Sequence, residues 1–380
     1  MHQKVWNIRY FCTSIHLDYS KQMKKILITG GSGFLGSRLA YYYKEKYELL
    51  LPTHSELNVS REEAVKCYLE EQRPEAVIHC AALSNTWYCE QHPEESHRVN
   101  VQATVRLAKA CKLIGAKLLF MSSDQVYNGT PQLGPLSEEV TLQPVNSYGQ
   151  HKLEAEQRAL RNLPESVGLR LTWMYDLPQS GLKLNSNLLV NLDKAYREAS
   201  ILRAATHEYR GVTYVWEVVR QMEKALSLPG GIYNFGSGNT LNSYALHIEA
   251  AHLMGFKEPQ HWILPDEERF NEQPRNLTMD CSRIGQYGIR FNESVEGINE
   301  ALLRPIRTAN APLRCITCNP FPFCLQSRRE TLAFQTRNTS ISDGICKLLR
   351  KQIDVIAAGF IAYNKIKVGI ILLPCCNTCR

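Results

Sequence analysis

Residues 25–36, KILITGGSGFLG, decide the fold. An apolar run from Lys25 to Thr29 leads without a break into Gly30, Gly33 and Gly36, and a helical pattern opens at Phe34. Glycine fits where a side chain would block a tight turn, the approach of a phosphate, or the packing of helix on strand. A strand, a glycine turn and a helix N-terminus in succession aim backbone N–H groups and the positive end of a helix dipole at a bound diphosphate. The stretch reads as a dinucleotide cradle.

The alternation continues outward from it. Strand-like runs at Lys25–Thr29, Glu48–Leu51, Ala76–Cys80, Lys117–Met121 and Val167–Leu171 are separated by helical periodicity at Phe34–Tyr47, Arg61–Glu71, Val99–Leu113 and Tyr148–Leu160. Ser60 followed by Glu63 has the spacing of a capping box for the second helix. Short, fully apolar strands between helices predict an α/β fold, a Rossmann-type doubly wound parallel sheet covered on both faces. Ligands of such sheets sit at the carboxyl ends of the strands.

The end of the second strand bears on the cofactor. An acid there would grip a ribose 2′-OH and repel a 2′-phosphate. The chain has Leu51-Pro52-Thr53-His54-Ser55, with no acid before Glu56, so NADP(H) is slightly favoured and NAD(H) stays open. Arg38 is either positive charge for that phosphate or a solvated helix arginine. After the third strand, Cys80-Ala81-Ala82-Leu83 offers small side chains that let backbone approach a dinucleotide.

Two segments carry chemistry. Ser122-Ser123-Asp124-Gln125-Val126-Tyr127 follows the fourth strand, and Tyr148-Gly149-Gln150-His151-Lys152 opens the next helix. Tyrosine and lysine at i and i+4 share a helix face, so the ammonium is expected to stabilise the phenolate and bring the phenol nearer to working pH. Ser123 would hold a carbonyl oxygen while Tyr148 protonates it and a nicotinamide delivers hydride. A dinucleotide loop, a Ser-Ser strand end and Tyr-x-x-x-Lys agree on one reaction class.

The net charge of +7 gives no support for nucleic-acid binding once it is divided along the chain. Residues 1–22 carry +2 and residues 304–380 carry +9, leaving −4 for residues 23–303. Seven of the thirteen cysteines lie in the last 77 residues, and the Cys315-x-x-Cys318 and Cys376-x-x-Cys379 pairs lack the second pair that a zinc site needs, so no metal is expected. Cys67, Cys80 and Cys111 sit in apolar patterns and read as buried thiols of a reducing, cytoplasmic compartment. The first 22 residues lack the layout of a secretory signal, and Asn364, Lys365 and Lys367 interrupt the apolar stretch Ile353–Leu373 well short of a membrane span.

From about Lys24 to Leu303 the chain resembles the extended short-chain dehydrogenase/reductase superfamily, toward which the G-x-x-G-x-x-G spacing points, and within it the dTDP-4-dehydrorhamnose reductase family. That family shares its broader group with the regulatory beta subunit of methionine adenosyltransferase. The resemblance is carried by GGSGFLG, Leu57-Asn58-Val59, HCAAL, Val99-Asn100, SSDQVYNG, YGQHK, LRLTWMY and QPRNLTMDCSRI. It implies Ser123, Tyr148 and Lys152 as the catalytic trio. Cofactor contacts are implied for Gly30, Gly33, Phe34, Leu35, Gly36, Asn58, Val59, Ala81, Ala82, Leu83, Tyr148 and Lys152, and Ser123, Asp124 and Trp173 would face a deoxysugar nucleotide. The chain departs from the family at Asn58-Val59, where Asp-Ile or Asp-Leu is common, at Ser123, where Thr is common, and at Gln125, where Tyr is common. Related dehydratases carry Thr-Asp-Glu, and Gln125 cannot act as their carboxylate base, which disfavours elimination.

The second half is less explicit. Trp173 ends a strand, Gly211-Val212-Thr213-Tyr214 resembles a substrate-side loop, Ser243 stands ahead of an Ala/Leu-rich helix, and Arg275 is either a substrate-phosphate ligand or a surface arginine. The expected organisation is an extension at 1–22, an NAD(P)-binding domain at 23–170, a substrate lobe at 171–303 that interleaves with it, and a tail at 304–380. The expected function is reduction of the C4 ketone of a nucleotide-linked 6-deoxysugar, dTDP-4-dehydrorhamnose to dTDP-L-rhamnose. A regulatory NADP-binding subunit and an NAD-retaining epimerase are the alternatives. The expected partner is the nucleotide sugar, with no nucleic acid or membrane, and a homodimer is compatible with this reading.

Overall fold

The computed structural model describes residues 24–303. The extension 1–22, the tail 304–380 with its Cys-x-x-Cys pairs, and the apolar stretch within that tail lie outside the described residues.

β1 (Lys25–Thr29), β2 (Glu48–Leu50), β3 (Ala76–His79), β4 (Lys117–Ser123) and β5 (Val167–Leu171) are joined by α1 (Phe34–Tyr43), α2 (Glu62–Gln72), α3 (Thr86–Gln91), α4 (Pro93–Ser96), α5 (Ala103–Ile114) and α6 (Ser147–Asn162). The chain then leaves the sheet through β6 (Trp173–Tyr175), α7 (Leu188–Arg197), β7 (Leu202–Ala205), β8 (Glu208–Arg210), β9 (Val212–Tyr214) and α8 (Val215–Leu226). It returns as β10 (Gly231–Phe235) and ends with α9 (Ser243–Leu253), β11 (Ile263–Asp266), β12 (Arg275–Leu277), α10 (Ser282–Gly285) and α11 (Ser294–Leu303).

Six strands pair in the order β10-β5-β4-β3-β1-β2, every pair parallel. The register sets Leu27 against Val77 and Val77 against Leu118, and these buried residues cluster with Leu69 of α2 and Leu107 and Cys111 of α5. Ile26, Ile28 and Ile78 alternate to the other face, where Tyr43 of α1 and Met222 of α8 meet them. Helices therefore cover both faces, and the sheet is the Rossmann-type doubly wound one that the alternation predicts. From β1 the order runs one way to β2 and the other way to β3, so the switch point, where such sheets open a crevice, lies between β1 and β3.

Several local expectations are corrected. α1 ends at Tyr43 rather than Tyr47, whose hydroxyl instead donates to Glu223 of α8 at 2.8 Å. The helix expected from Val99 begins as a π-helical stretch, His97–Gln102, before α5. The Ser60–Glu63 capping box does not form, because the Ser60 N–H that Glu63 would reach donates to Asn58 Oδ1 at 2.9 Å, and α2 starts after Arg61 with no side-chain cap. Asn242, not Ser243, caps α9 by accepting the Ala245 N–H at 2.8 Å. Cys111 is buried, but Cys67 is exposed: Val65 and Leu69 turn inward from α2, and the residue midway between them faces solvent.

Among the described residues, those outside the sheet pair as three short parallel ladders, β6 with β9, β7 with β11 and β8 with β12. No helix among the described residues is long and apolar enough to cross a membrane.

Candidate active site

The glycine turn packs against the neighbouring strand at the switch point. Gly30 has a φ of +69°, and a Cβ there would stand 2.7 Å from the Ala81 backbone nitrogen. A Cβ on Gly36 would stand 2.1 Å from the Gly30 carbonyl oxygen. Gly33 donates its N–H to that same oxygen at 2.8 Å and leads into α1 with no side-chain cap, so the open helix N-terminus fits a diphosphate. Phe34 and Leu35 are buried behind it. Ala81, Ala82 and Leu83 are half-buried, and Asn100 pins their loop by accepting the Leu83 N–H at 3.0 Å and donating to the Leu83 carbonyl at 2.9 Å. Asn58 is half-buried and Val59 is buried.

Arg38 is neither solvated nor free for a cofactor phosphate. Its side chain is fully buried; Nε donates to Asp176 at 2.7 Å, and Nη1 donates to the carbonyls of Phe34 at 2.7 Å and Lys183 at 2.8 Å. The guanidinium satisfies a carboxylate that also accepts the Trp216 indole N–H at 3.1 Å, which explains why it turns inward.

Ser123, Tyr148 and Lys152 come together at the carboxyl end of β4. Ser123 is its last residue, and its hydroxyl accepts the Gln125 N–H at 3.2 Å, closing the 3-10 turn Asp124–Tyr127. Asn146 caps α6 by accepting the Gly149 N–H at 2.7 Å. A Cβ on Gly149 would lie 2.4 Å from the Gln125 carbonyl, so glycine lets the start of α6 close on the turn and brings the Tyr148 phenol to the Ser123 hydroxyl. Lys152 Nζ donates to the Met121 carbonyl at 2.8 Å and lies 5.6 Å from the Tyr148 ring centroid.

The electrostatics differ from the expectation. Burial pushes the Tyr148 phenol well above its ordinary value, Asp124 and Cys89 push the same way, and only the Ser123 hydroxyl opposes them. Desolvation of the phenolate dominates, and the Lys152 ammonium is directed at a backbone carbonyl. Burial also pulls Lys152 down to about 8, against the opposing effects of Cys89, Glu156 and Cys80. The phenol is therefore held in its protonated form, but burial makes it a weaker acid than the helix pair alone would predict.

Beneath the trio lies a network that sequence reasoning missed. Ser122 donates to Glu156 Oε1 at 2.5 Å, and Arg170 grips Glu156 with Nε at 2.9 Å and Nη2 at 2.7 Å. Arg170 Nη1 donates to the Tyr127 hydroxyl at 2.7 Å, which donates in turn to Asn234 Oδ1 at 2.7 Å. The spacing held a signal: Glu156 follows Lys152 by four residues, on the same face of α6.

The other wall is charged. Asp124, expected to face substrate, has a side chain only 2% exposed, and its Oδ2 accepts Arg210 Nη2 at 2.7 Å. The Arg210 guanidinium lies 5.5 Å from the centroid of the half-buried Trp173 ring. Arg275 is not a surface arginine: it pairs with Glu208 and stacks 4.2 Å from the Phe270 centroid. It also lines a cavity of about 320 Å³ with Tyr127, Thr130, Val145, Phe270 and Asn276, which Ser123, Tyr148 and Lys152 do not reach. Among the described residues, no group of three His, Cys, Asp or Glu side chains could hold a metal ion.

Residues 23–304 match the family model described as the RmlD substrate binding domain. The chain is 30% identical over 293 residues to methionine adenosyltransferase 2 subunit beta of Xenopus laevis, covering 72% of this chain and 85% of that relative. It is 33% identical over 153 residues to a dTDP-4-dehydrorhamnose reductase of Mycolicibacterium smegmatis, covering 40% of this chain and 46% of the reductase. Among solved structures, the dTDP-4-dehydrorhamnose reductase of Bacillus anthracis in complex with NADP superposes with a TM-score of 0.66 at 20% identity, covering 73% of this chain and 98% of that one.

Proposed function

The chain belongs to the RmlD substrate-binding domain family, and from that premise we propose that it binds a nicotinamide dinucleotide and reduces the C4 ketone of a nucleotide-linked 6-deoxysugar, dTDP-4-dehydrorhamnose to dTDP-L-rhamnose. The observation that carries the reading is the meeting of Ser123, Tyr148 and Lys152 at a strand end of the same sheet edge as an uncapped glycine turn. Gly30, Gly33, Phe34, Leu35 and Gly36 hold the diphosphate, and Asn58, Val59, Ala81, Ala82 and Leu83 flank the nucleoside. Residues 23–170 serve the cofactor, and residues 171–303 the sugar nucleotide, apart from the strand at Gly231–Phe235. When bound, the dihydronicotinamide supplies a hydride. Tyr148 gives its phenolic proton to the carbonyl oxygen, Lys152 offsets the charge left on the phenolate, and Ser123 orients the carbonyl.

The test is a panel of nucleotide ketosugars with NADPH or NADH oxidation followed by absorbance. Tyr148→Phe should lower turnover by about 10²–10⁴, the usual contribution of a positioned general acid, while calorimetry still detects cofactor binding. Undiminished turnover would remove Tyr148 from its role. A regulatory subunit is the second reading, favoured by the near full-length match to the adenosyltransferase beta subunit. Tight cofactor binding with no oxidation on any ketosugar would select it.

A further inference from the structure

Asp124 divides its carboxylate between two partners. Oδ2 accepts Arg210 Nη2 at 2.7 Å, and Oδ1 accepts the Ser123 hydroxyl at 3.1 Å. A serine hydroxyl has a single proton to donate, and this one has a second claimant in the neighbouring Tyr148 phenol, whose ionised form a bond from Ser123 favours. An unpaired carboxylate, buried as Asp124 is, would hold that proton strongly and would also disfavour negative charge on the phenol. Arg210 stands where it tempers both effects. Its guanidinium rests against Trp173, its Nε has no hydrogen-bond partner among the described residues, and Glu208 on the same strand is already bonded to Arg275.

We propose that Arg210 is a positioning residue: by pairing with Asp124 it weakens the carboxylate's hold on the Ser123 proton and leaves that proton available to the reacting carbonyl oxygen. The inference rests on the reductase reading of the site. Arg210 acts through Asp124, so its importance should vanish when Asp124 carries no charge.

The experiment compares wild type, Arg210→Gln, Asp124→Asn and the double variant on a ketosugar that the wild type reduces. Arg210→Gln should lower kcat at least about tenfold, the factor carried by one unit of proton affinity, with KM changed by less than about threefold. In the Asp124→Asn background the same substitution should lower kcat by less than about twofold, because no carboxylate remains to be neutralised. Arg210→Lys, which keeps the charge, should recover most of kcat. Equal losses in both backgrounds, or a raised KM with kcat kept, overturn the inference and assign Arg210 to direct contact with the ligand. If Arg210→Gln does not fold alone, the Asp124→Asn background, free of a stranded buried charge, still decides. A wild-type protein that turns over no ketosugar removes the reductase reading and this inference together; an active wild type with equal losses removes the inference alone.

Discussion

The six-stranded sheet and the ladders outside it are held by different forces. Leu27, Val77 and Leu118 lie in line across three neighbouring strands, each fully buried, so the sheet side gains its stability from apolar area. On the ladder side, β8 and β12 join over only three residues, and the pairs Arg275–Glu208 and Arg210–Asp124 stand where a wider core would otherwise be. Arg38–Asp176 links the two, from the helix after the glycine turn to the segment after β6. Apolar strands tolerate exchange of one hydrophobic residue for another of similar volume. A buried ion pair does not, because removal of one partner leaves the other uncompensated. Sensitivity to single substitutions should therefore concentrate at the buried pairs, those of the ladder side and Arg170–Glu156 on the sheet side.

Arg38→Met is expected to have the largest effect. It strands Asp176 in the interior and should cost about 3–5 kcal/mol of unfolding free energy by urea titration; a loss below about 1 kcal/mol, typical of exposed pairs, would show that this link does not hold the halves together. The sheet side also holds a buried titratable group, His79, with Nδ1 2.7 Å from the Thr29 hydroxyl. Burial, then the Lys152 charge, pulls its imidazole down to about 3 from an ordinary 6.5. Its contribution is complete above pH 6.5 and is lost as pH falls through that window toward about 3. Acidification to about pH 4.5 should therefore cost roughly 2–3 kcal/mol, and His79→Asn should flatten that part of the curve; an unchanged acid limb would place the sensitivity elsewhere.

Helix caps allow the smallest test of the comparison. Asn146 begins α6 on the sheet side, and Asn187 begins α7 on the other, accepting the Leu189 and Val190 N–H groups at 3.1 and 3.2 Å. Each Asn→Ala change should lower stability by about 1 kcal/mol in thermal unfolding. Asn146→Ala should also reduce turnover, since that cap sets the start of the helix bearing Tyr148, whereas Asn187→Ala should leave kcat unaltered. Equal effects on turnover would mean that the two caps are not functionally distinct.

What could be read from the sequence follows the same division. The strands, the glycine turn and Tyr148 with Lys152 leave short-range traces: an apolar run, a three-residue glycine spacing, an i to i+4 pair on one helix face. Arg38 gave no such trace, since its partner lies 138 residues further on and both readings open to it assumed a helix surface. The Arg170–Glu156 grip and the Arg210–Asp124 contact were hidden for the same reason, as pairs between distant segments have no period. The Ser60 capping box failed on a smaller scale: the motif was present, but Asn58 reached the amide first. Cys67 was misread because an apolar neighbourhood in sequence does not say which side of a helix a residue occupies.

The late return of the chain as β10 has a consequence for synthesis. Until residues 231–235 have left the ribosome, β5 has a neighbour on one side only, and its entirely buried sequence VGLRL presents a row of free amides and carbonyls to the cell. About sixty residues must be made while that border stays open, which gives a nascent chain time to pair with another of its kind. Slow translation of this interval should thus favour aggregation, and a chaperone acting on it would guard a strand border rather than an exposed core.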